Sequence, residues 1–305
     1  MNKKWIANIA LLLTAMIWGF SIAIQRMGME YVEPITFTSL RFVFSFLTLL
    51  PIIYYVDKKK GKKKMAPQEK KNLLLGGFLC GLFLFAGSCL QQIGMISTPA
   101  GKTGFITSLY IVLVPILGLF FHKKVSINVW FGVGLSLAGL YLLCVKDTLA
   151  FAAGDYTILL GTFFLAAHIV CVGIFSPKVD PLRFACLQYL FCAIFCAVPG
   201  LLTEQNTWQG ILQCAIPILY AGILSGGVGF TCQILAQRFT DATVVSLIIS
   251  LESVFSAVAG FLLLHELLSV RELMGCALMF CGVIVAQLQG KKTVRQEGEV
   301  SSLPE

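Results

Sequence analysis

Ten separate runs of about 20 apolar residues limit the fold of this chain more than any other feature. A helix of that length crosses the roughly 30 Å hydrocarbon core of a bilayer. The runs lie near 5–24, 34–54, 72–94, 99–121, 127–145, 155–175, 182–202, 210–236, 241–263 and 270–289. Membrane β-strands would alternate polar and apolar residues, and these runs are continuously apolar. The sequence therefore predicts an all-α integral membrane protein with ten transmembrane helices.

Composition excludes the soluble alternatives. Charged residues make up 12% of the 305 residues and hydrophobic residues make up 57%. A soluble domain carries roughly 25% charged residues, so this chain lacks the polar surface that two soluble domains need. The first run follows Lys3 and Lys4 and resembles a secretory signal. Because its apolar stretch exceeds the 7–15 residues of a signal core, we interpret it as a retained first span.

The placement of lysine and arginine predicts the orientation. The chain has 23 of these residues, and they concentrate in segments that share a face with the N-terminus, above all the run 58–64 and the tail 290–305. Positively charged loops stay in the cytoplasm, so we expect a plasma-membrane protein with both termini cytoplasmic. The run 58–64 then lies near anionic lipid. The net charge of +8 alone would be compatible with nucleic acid, but the placement of the lysines indicates the lipid bilayer as the partner.

The chain repeats itself. A shift of 142 residues places 87–118 on 229–260 without a gap, and a shift of 147 places Glu33-Pro34 on Asp180-Pro181. The matched polar and small residues are Gln91 with Gln233, Thr98 with Thr240, Ser108 with Ser250 and Gly118 with Gly260. We predict a first five-helix repeat in 1–150, a second in 151–290 and a cytoplasmic tail in 291–305.

Five is an odd number of spans, so the second repeat enters the membrane from the opposite side. Inverted repeats are typical of secondary transporters, whose sites lie near the midplane between the halves. We expect a central cavity between spans 1, 3, 4, 6, 8 and 9, with a small-molecule substrate. Alternating access would follow from an exchange of conformation between the halves.

Several short motifs occur in order along 5–289. They are Trp18-Gly19, Leu40-Arg41-Phe42, the stretch QIGMISTPAGKTGFITSLY at 92–110, Val114-Pro115, Leu251-Glu252 and the ending LLLHELLS…GCALMFCGVIV. With these motifs the chain resembles the EamA-type ten-span transporters of the drug/metabolite transporter (DMT) superfamily. The resemblance implies secondary transport of small organic solutes, often amino acids or related metabolites. One departure is Ser253, which stands where the family often has proline.

Charged residues inside spans are costly and need a reason. Glu252 lies about eleven residues into span 9, near the midplane, and its repeat counterpart in span 4 is Tyr110. One interpretation is that Glu252 binds a substrate ammonium group or couples transport to protons. The other is a structural ion pair, for which Arg41 in span 2 is the candidate partner.

Four further polar or aromatic residues are candidates for substrate binding or coupling. His168 in span 6 could relay protons or form a hydrogen bond to a neighbour. Trp18 could form an aromatic wall or only pack. The repeat mates Gln91 and Gln233 could act as gate residues or join helices by hydrogen bonds.

Signals for other chemistry fail. The stretch AGKTG at 100–104 imitates a phosphate-binding loop, but Ile96 stands where that loop needs glycine. We find no metal-ligand spacing and no catalytic dyad, so we expect no cofactor, no metal and no enzyme. The alternatives that remain open are a membrane enzyme or lipid-handling protein with an intramembrane cavity, and a channel or a non-transporting sensor. Substrate identity, direction, coupling ion and oligomeric state are not specified by the sequence.

Overall fold

The computed structural model describes residues 3–61, 65–121, 125–144, 152–264 and 269–288. In this part of the chain all regular structure is helical, and ten helical segments are long and apolar enough to cross a membrane. The prediction of an all-α, ten-span membrane protein is confirmed. The predicted tail 291–305 and the junction between residues 150 and 151 lie outside the described residues.

Seven spans are single helices, and three are built from shorter pieces. The single helices are Lys3–Gly28 (span 1), Pro34–Lys60 (span 2), Pro67–Gly94 (span 3), Ile127–Cys144 (span 5), Ala153–Phe175 (span 6), Pro181–Thr203 (span 7) and Val270–Leu288 (span 10). The interrupted spans are Ala100–Ser108 with Tyr110–Phe120 (span 4), Ala215–Leu219 with Tyr220–Phe230 and Thr231–Ala236 (span 8), and Ala242–Ile249 with Glu252–Leu264 (span 9). A short helix, Trp208–Gln213, precedes span 8.

Spans 4 and 9 break at matching depth. Span 4 breaks at Leu109, where the carbonyl of Ile106 accepts from the Leu109 amide and from the Thr162 hydroxyl, both at 3.2 Å. Span 9 breaks between Ile249 and Glu252 without a proline at the break. There the Ser250 hydroxyl donates to the Leu247 carbonyl at 2.8 Å and so competes with the helical ladder.

Span 8 contains an unusual wide segment. Tyr220–Phe230 is π-helical over its whole length. It is rich in small residues, which let span 2 approach closely: the Ser45 hydroxyl donates to the Gly222 carbonyl at 2.9 Å. Such segments are frequent at functional sites, and this one carries Ser225 to the central cavity.

The spans pack around this centre in pairs. Span 1 packs against spans 8 and 9, and span 6 packs against spans 3 and 4. Span 2 packs against span 7, and span 5 against span 10. We call the face with the start of span 1 and the loop 176–180 the N-terminal face. The face with loops 29–33 and 204–207 is the opposite face.

Spans 5 and 10 touch backbone to backbone at glycines. A Cβ added at Gly139 would stand 2.6 Å from the Gly275 carbonyl oxygen, and one added at Gly132 would stand 2.6 Å from the Gly282 carbonyl oxygen. No flexible side chain can yield at these points. The close approach therefore depends on glycine.

We expect Gly139→Ala to destabilise the protein by about 1–3 kcal/mol, because the added methyl group must push spans 5 and 10 apart. Gly134→Ala on the same helix is the matched control, since no atom of another described helix lies within 4 Å of its Cβ position. Thermal unfolding of both variants in detergent measures the difference. Equal unfolding temperatures for the two variants would contradict the packing described here.

Candidate functional site

A cavity lies at the centre of the bundle, and about 540 Å³ of space lies within it and at its mouth. Its walls come from spans 1, 3, 4, 6, 8 and 9, as predicted, and also from span 2. All seven candidate residues line it: Trp18, Arg41, Gln91, Tyr110, His168, Gln233 and Glu252.

Arg41 reaches the cavity from span 2 and is 5% exposed. Its Nη1 donates to Gln25 Oε1 at 2.8 Å, and its Nη2 donates to Ser225 Oγ at 3.0 Å. The rings of Phe42 and Phe230 lie 5.2 and 5.8 Å from the guanidinium carbon. Its Nε is buried and has no hydrogen-bond partner among the residues that the structure describes.

No carboxylate pairs with Arg41 in the described part of the chain. The ion pair with Glu252, one of the two interpretations of the sequence, is therefore absent from this conformation among those residues. A buried cation without a counter-ion is costly. Polar oxygens and aromatic faces reduce that cost, and an anionic group entering the cavity would reduce it further.

Glu252 stands at the start of the second half of span 9 and is 4% exposed. Tyr110 Oη donates to its Oε1 at 2.9 Å. Beside this contact, the hydroxyls of Ser108 and Ser253 lie 2.7 Å apart. The repeat mates Tyr110 and Glu252 therefore meet across the interface between the halves. A helix N-terminus also favours a negative charge at this position.

His168 and Trp18 both contact the ring of Phe230. His168 Nε2 lies 3.1 Å from Gln188 Oε1, and its ring meets the Phe230 ring edge-on at a centroid distance of 5.8 Å. Trp18 Nε1 donates to the Ser225 carbonyl at 3.1 Å, and its ring lies 4.5 Å from that of Phe230. Together the three rings form an aromatic wall of the cavity.

The two glutamine repeat mates make different contacts. Gln91 Nε2 donates to Thr107 Oγ1 at 2.8 Å and so joins spans 3 and 4. Gln233 Nε2 donates at 3.1 Å to Oε1 of Gln237, the residue after its own helix. Its Oε1 is buried and has no hydrogen-bond partner in the described part of the chain. Gln237 in turn donates to the Ile169 carbonyl at 2.8 Å. A hydrogen bond between helices therefore explains the amide of Gln91, whereas Gln233 makes no such bond among the described residues.

Sequence reasoning missed the residues that hold Arg41. Gln25 and Ser21 follow Trp18 at spacings of seven and three, which places all three on one helical face. That spacing was the available signal for Gln25. Ser225 gave only a weak signal, because its position depends on the π-helical turn around it.

A bundle of ten membrane-spanning helices around a central cavity that contains buried polar and charged side chains is the architecture of a membrane transporter. The sequence profile described as "EamA-like transporter family" matches residues 5–145 and 152–287. The chain therefore belongs to the EamA-like transporter family, within the DMT superfamily.

Similar proteins carry transporter names. An "Uncharacterized transporter" of Archaeoglobus fulgidus is 27% identical over 94% of this chain and 87% of its own length. "Uncharacterized transporter YoaV" of Bacillus subtilis is 23% identical over 88% of this chain and 92% of its own. A "Probable amino-acid metabolite efflux pump" of Escherichia coli is 27% identical over 55% of this chain and 52% of its own. A solved structure titled "Crystal structure of protein" superimposes with a TM-score of 0.75 at 17% identity, covering 94% of this chain and 98% of that chain, and so shares the fold.

Proposed function

We propose that this protein is a secondary transporter that carries small amino-acid-like solutes across the plasma membrane by alternating access. The proposal rests on one observation: a buried guanidinium and a buried carboxylate, Arg41 and Glu252, line the same cavity without bonding to each other. In this proposal both termini lie in the cytoplasm. The transporter names of the relatives favour transport over the membrane-enzyme or lipid-handling alternative.

A zwitterionic solute would supply a counter-charge to each of the two charged side chains, Arg41 and Glu252. A guanidinium has five N–H donors, and Gln25 and Ser225 occupy two of those on Arg41. The remaining donors, including the unpartnered Nε, can receive a carboxylate. Glu252 can receive an ammonium group if Tyr110 shares or releases its bond to Oε1.

The aromatic wall supports a preference for solutes with an apolar side chain. The rings of Trp18 and Phe230 face the same cavity as the two charged groups. Apolar contact adds binding free energy in proportion to the area removed from water. We expect neutral amino-acid-like solutes to bind better than solutes with a further charge.

The breaks in spans 4 and 9 support alternating access. Each half-helix that begins at a break contributes its first residue, Tyr110 or Glu252, to the midplane contact. In transporters with inverted repeats, interrupted helices surround the site and help one half to move against the other. A bound ammonium group would replace the Tyr110 bond and so change the contact that joins the halves.

Flux into proteoliposomes tests the proposal. We expect saturable movement of one class of α-amino-acid-like solute from a pooled mixture, with protein-free liposomes as the control. An imposed pH gradient that changes the flux would support proton coupling, whereas an unchanged flux would indicate exchange or facilitated diffusion. Equal movement of uncharged solutes and zwitterions would contradict the assignment of the two charged residues.

A further inference from the structure

Spans 2 and 7 lie side by side and are joined at both faces of the membrane. At the opposite face, Glu204 ends span 7 and caps span 2. Its Oε1 accepts from the Ile35 amide at 2.8 Å and its Oε2 accepts from the Thr36 amide at 2.7 Å. A carboxylate on two free helix amides is a strong, charge-assisted contact.

Three more bonds complete this contact. Asn206 Nδ2 donates to Thr36 Oγ1 at 2.9 Å, and Asn206 Oδ1 accepts from the Glu33 amide at 2.8 Å. Glu33 Oε1 accepts from the Gln205 amide at 2.9 Å. We call this set of five hydrogen bonds, formed by 33–36 and 204–206, the opposite-face clasp.

The N-terminal face has a simpler contact between the same two spans. Arg183 Nη2 donates to Asp57 Oδ1 at 2.7 Å, and both side chains are 22% exposed. Asp180 caps span 7 by accepting from the Arg183 amide at 3.0 Å. The pair borders a wide polar recess whose wall also includes Glu69 and Arg238. We call Asp57 with Arg183 the N-face clasp.

The repeat relates the two clasps. The shift of 147 that places Glu33 on Asp180 also places Thr36 on Arg183, and Asp57 on Glu204. In each clasp an acidic residue at the end of one span holds the first turn of the other. The same device therefore occurs twice, once on each side of the membrane.

We propose that the two clasps are the opposing gates of the transport cycle and that the protein rests with its N-terminal face ready to open. This inference rests on the proposed alternating access, in which one face opens while the other stays closed. The opposite-face clasp has five hydrogen bonds, whereas one partly exposed ion pair forms the N-face clasp. Exposed ion pairs contribute little to stability, so the N-face clasp opens first.

Hydrogen exchange of the full-length protein in lipid nanodiscs tests this without any substrate. In Glu204→Gln, one of the two acceptor oxygens becomes an NH₂ group that faces a backbone amide. We expect exchange at 34–40 to rise about tenfold, as the loss of a charge-assisted bond implies. We also expect exchange at 176–183 on the far face to fall, because the two open states compete for the same population.

A variant of the N-face clasp should change hydrogen exchange in the opposite direction on each face. In Asp57→Asn we expect exchange at 176–183 to rise roughly two- to fivefold, as for an exposed ion pair, and exchange at 34–40 to fall. Glu30→Gln and Glu69→Gln are matched controls on the two faces, and neither should alter the far face. Asn206→Ala and Arg183→Gln break the same clasps if the first variants fold poorly.

If hydrogen exchange rises only on the mutated face, or rises on both faces, the gate assignment is wrong. A fall on the far face in both variants supports it. The result is separable from the proposed function, because exchange reports on the gates whether or not an amino-acid-like solute is moved. If flux fails and the reciprocal exchange is seen, the substrate class is wrong and the gates stand.

Discussion

Arg41→Gln is expected to abolish saturable transport of zwitterionic solutes while the protein without solute stays as stable as the parent. The transport loss follows from removing the only partner that we assign to the solute carboxylate. Truncating one side of a buried charged pair costs about 2–5 kcal/mol, roughly 30-fold or more in affinity. Stability is retained because the variant no longer buries a cation without a counter-ion. Thermal unfolding and solute uptake of the same preparation measure both effects.

Two controls separate binding from folding. Arg271→Gln removes an exposed arginine at the start of span 10 and should leave uptake unchanged. Arg41→Lys keeps the positive charge but loses the planar guanidinium group that can bind a carboxylate through two hydrogen bonds. We therefore expect its uptake of zwitterionic solutes to fall less than that of Arg41→Gln. Decarboxylated analogues of the solute should be nearly insensitive to Arg41→Gln. If Arg41→Gln were markedly destabilised, and if uptake of zwitterionic solutes and of their decarboxylated analogues fell equally, Arg41 would be a structural residue.

The sequence identified residues that line the cavity because buried charge in a membrane is rare. A side chain such as Glu252 or Arg41 carries a cost that a span tolerates only for a reason, so each stood out among apolar neighbours. The repeat then placed Glu252 and Tyr110 at equal depth, and the structure shows them in contact. The depth of Glu252 and Tyr110 in their spans, and their correspondence in the repeat, could therefore be predicted from a single sequence.

The partners of these residues were not readable from the sequence. Which oxygen holds Arg41 depends on how the helices rotate against each other, and Ser225 reaches it through a π-helical segment that no residue pattern announced. The break in span 9 has no proline, and hydroxyl competition at Ser250 accompanies it. Apolar periodicity fixes where a helix crosses the membrane, but such local competition decides where it bends.

Glu252→Gln is expected to lower saturable uptake of zwitterions by roughly 30-fold or more, since it removes the charge assigned to the solute ammonium group. The amide keeps nearly the same volume, and its oxygen can still accept from Tyr110, so the midplane contact between spans 4 and 9 is retained. Uptake of analogues that lack the amine should change little. Kinetic uptake assays with matched solute pairs measure this difference, and Glu30→Gln, on an exposed loop, is the control for loss of a carboxylate.

The same variant decides whether Glu252 carries the coupling proton. A glutamine cannot take up a proton, so any response of flux to an imposed pH gradient that depends on this carboxylate must disappear in Glu252→Gln. Tyr110→Phe, which removes the donor and leaves the carboxylate, should retain that response. If Glu252→Gln still responds to the gradient, the coupling group lies elsewhere. His168 is then the remaining titratable candidate on the aromatic wall, and the role of Glu252 is confined to binding the solute.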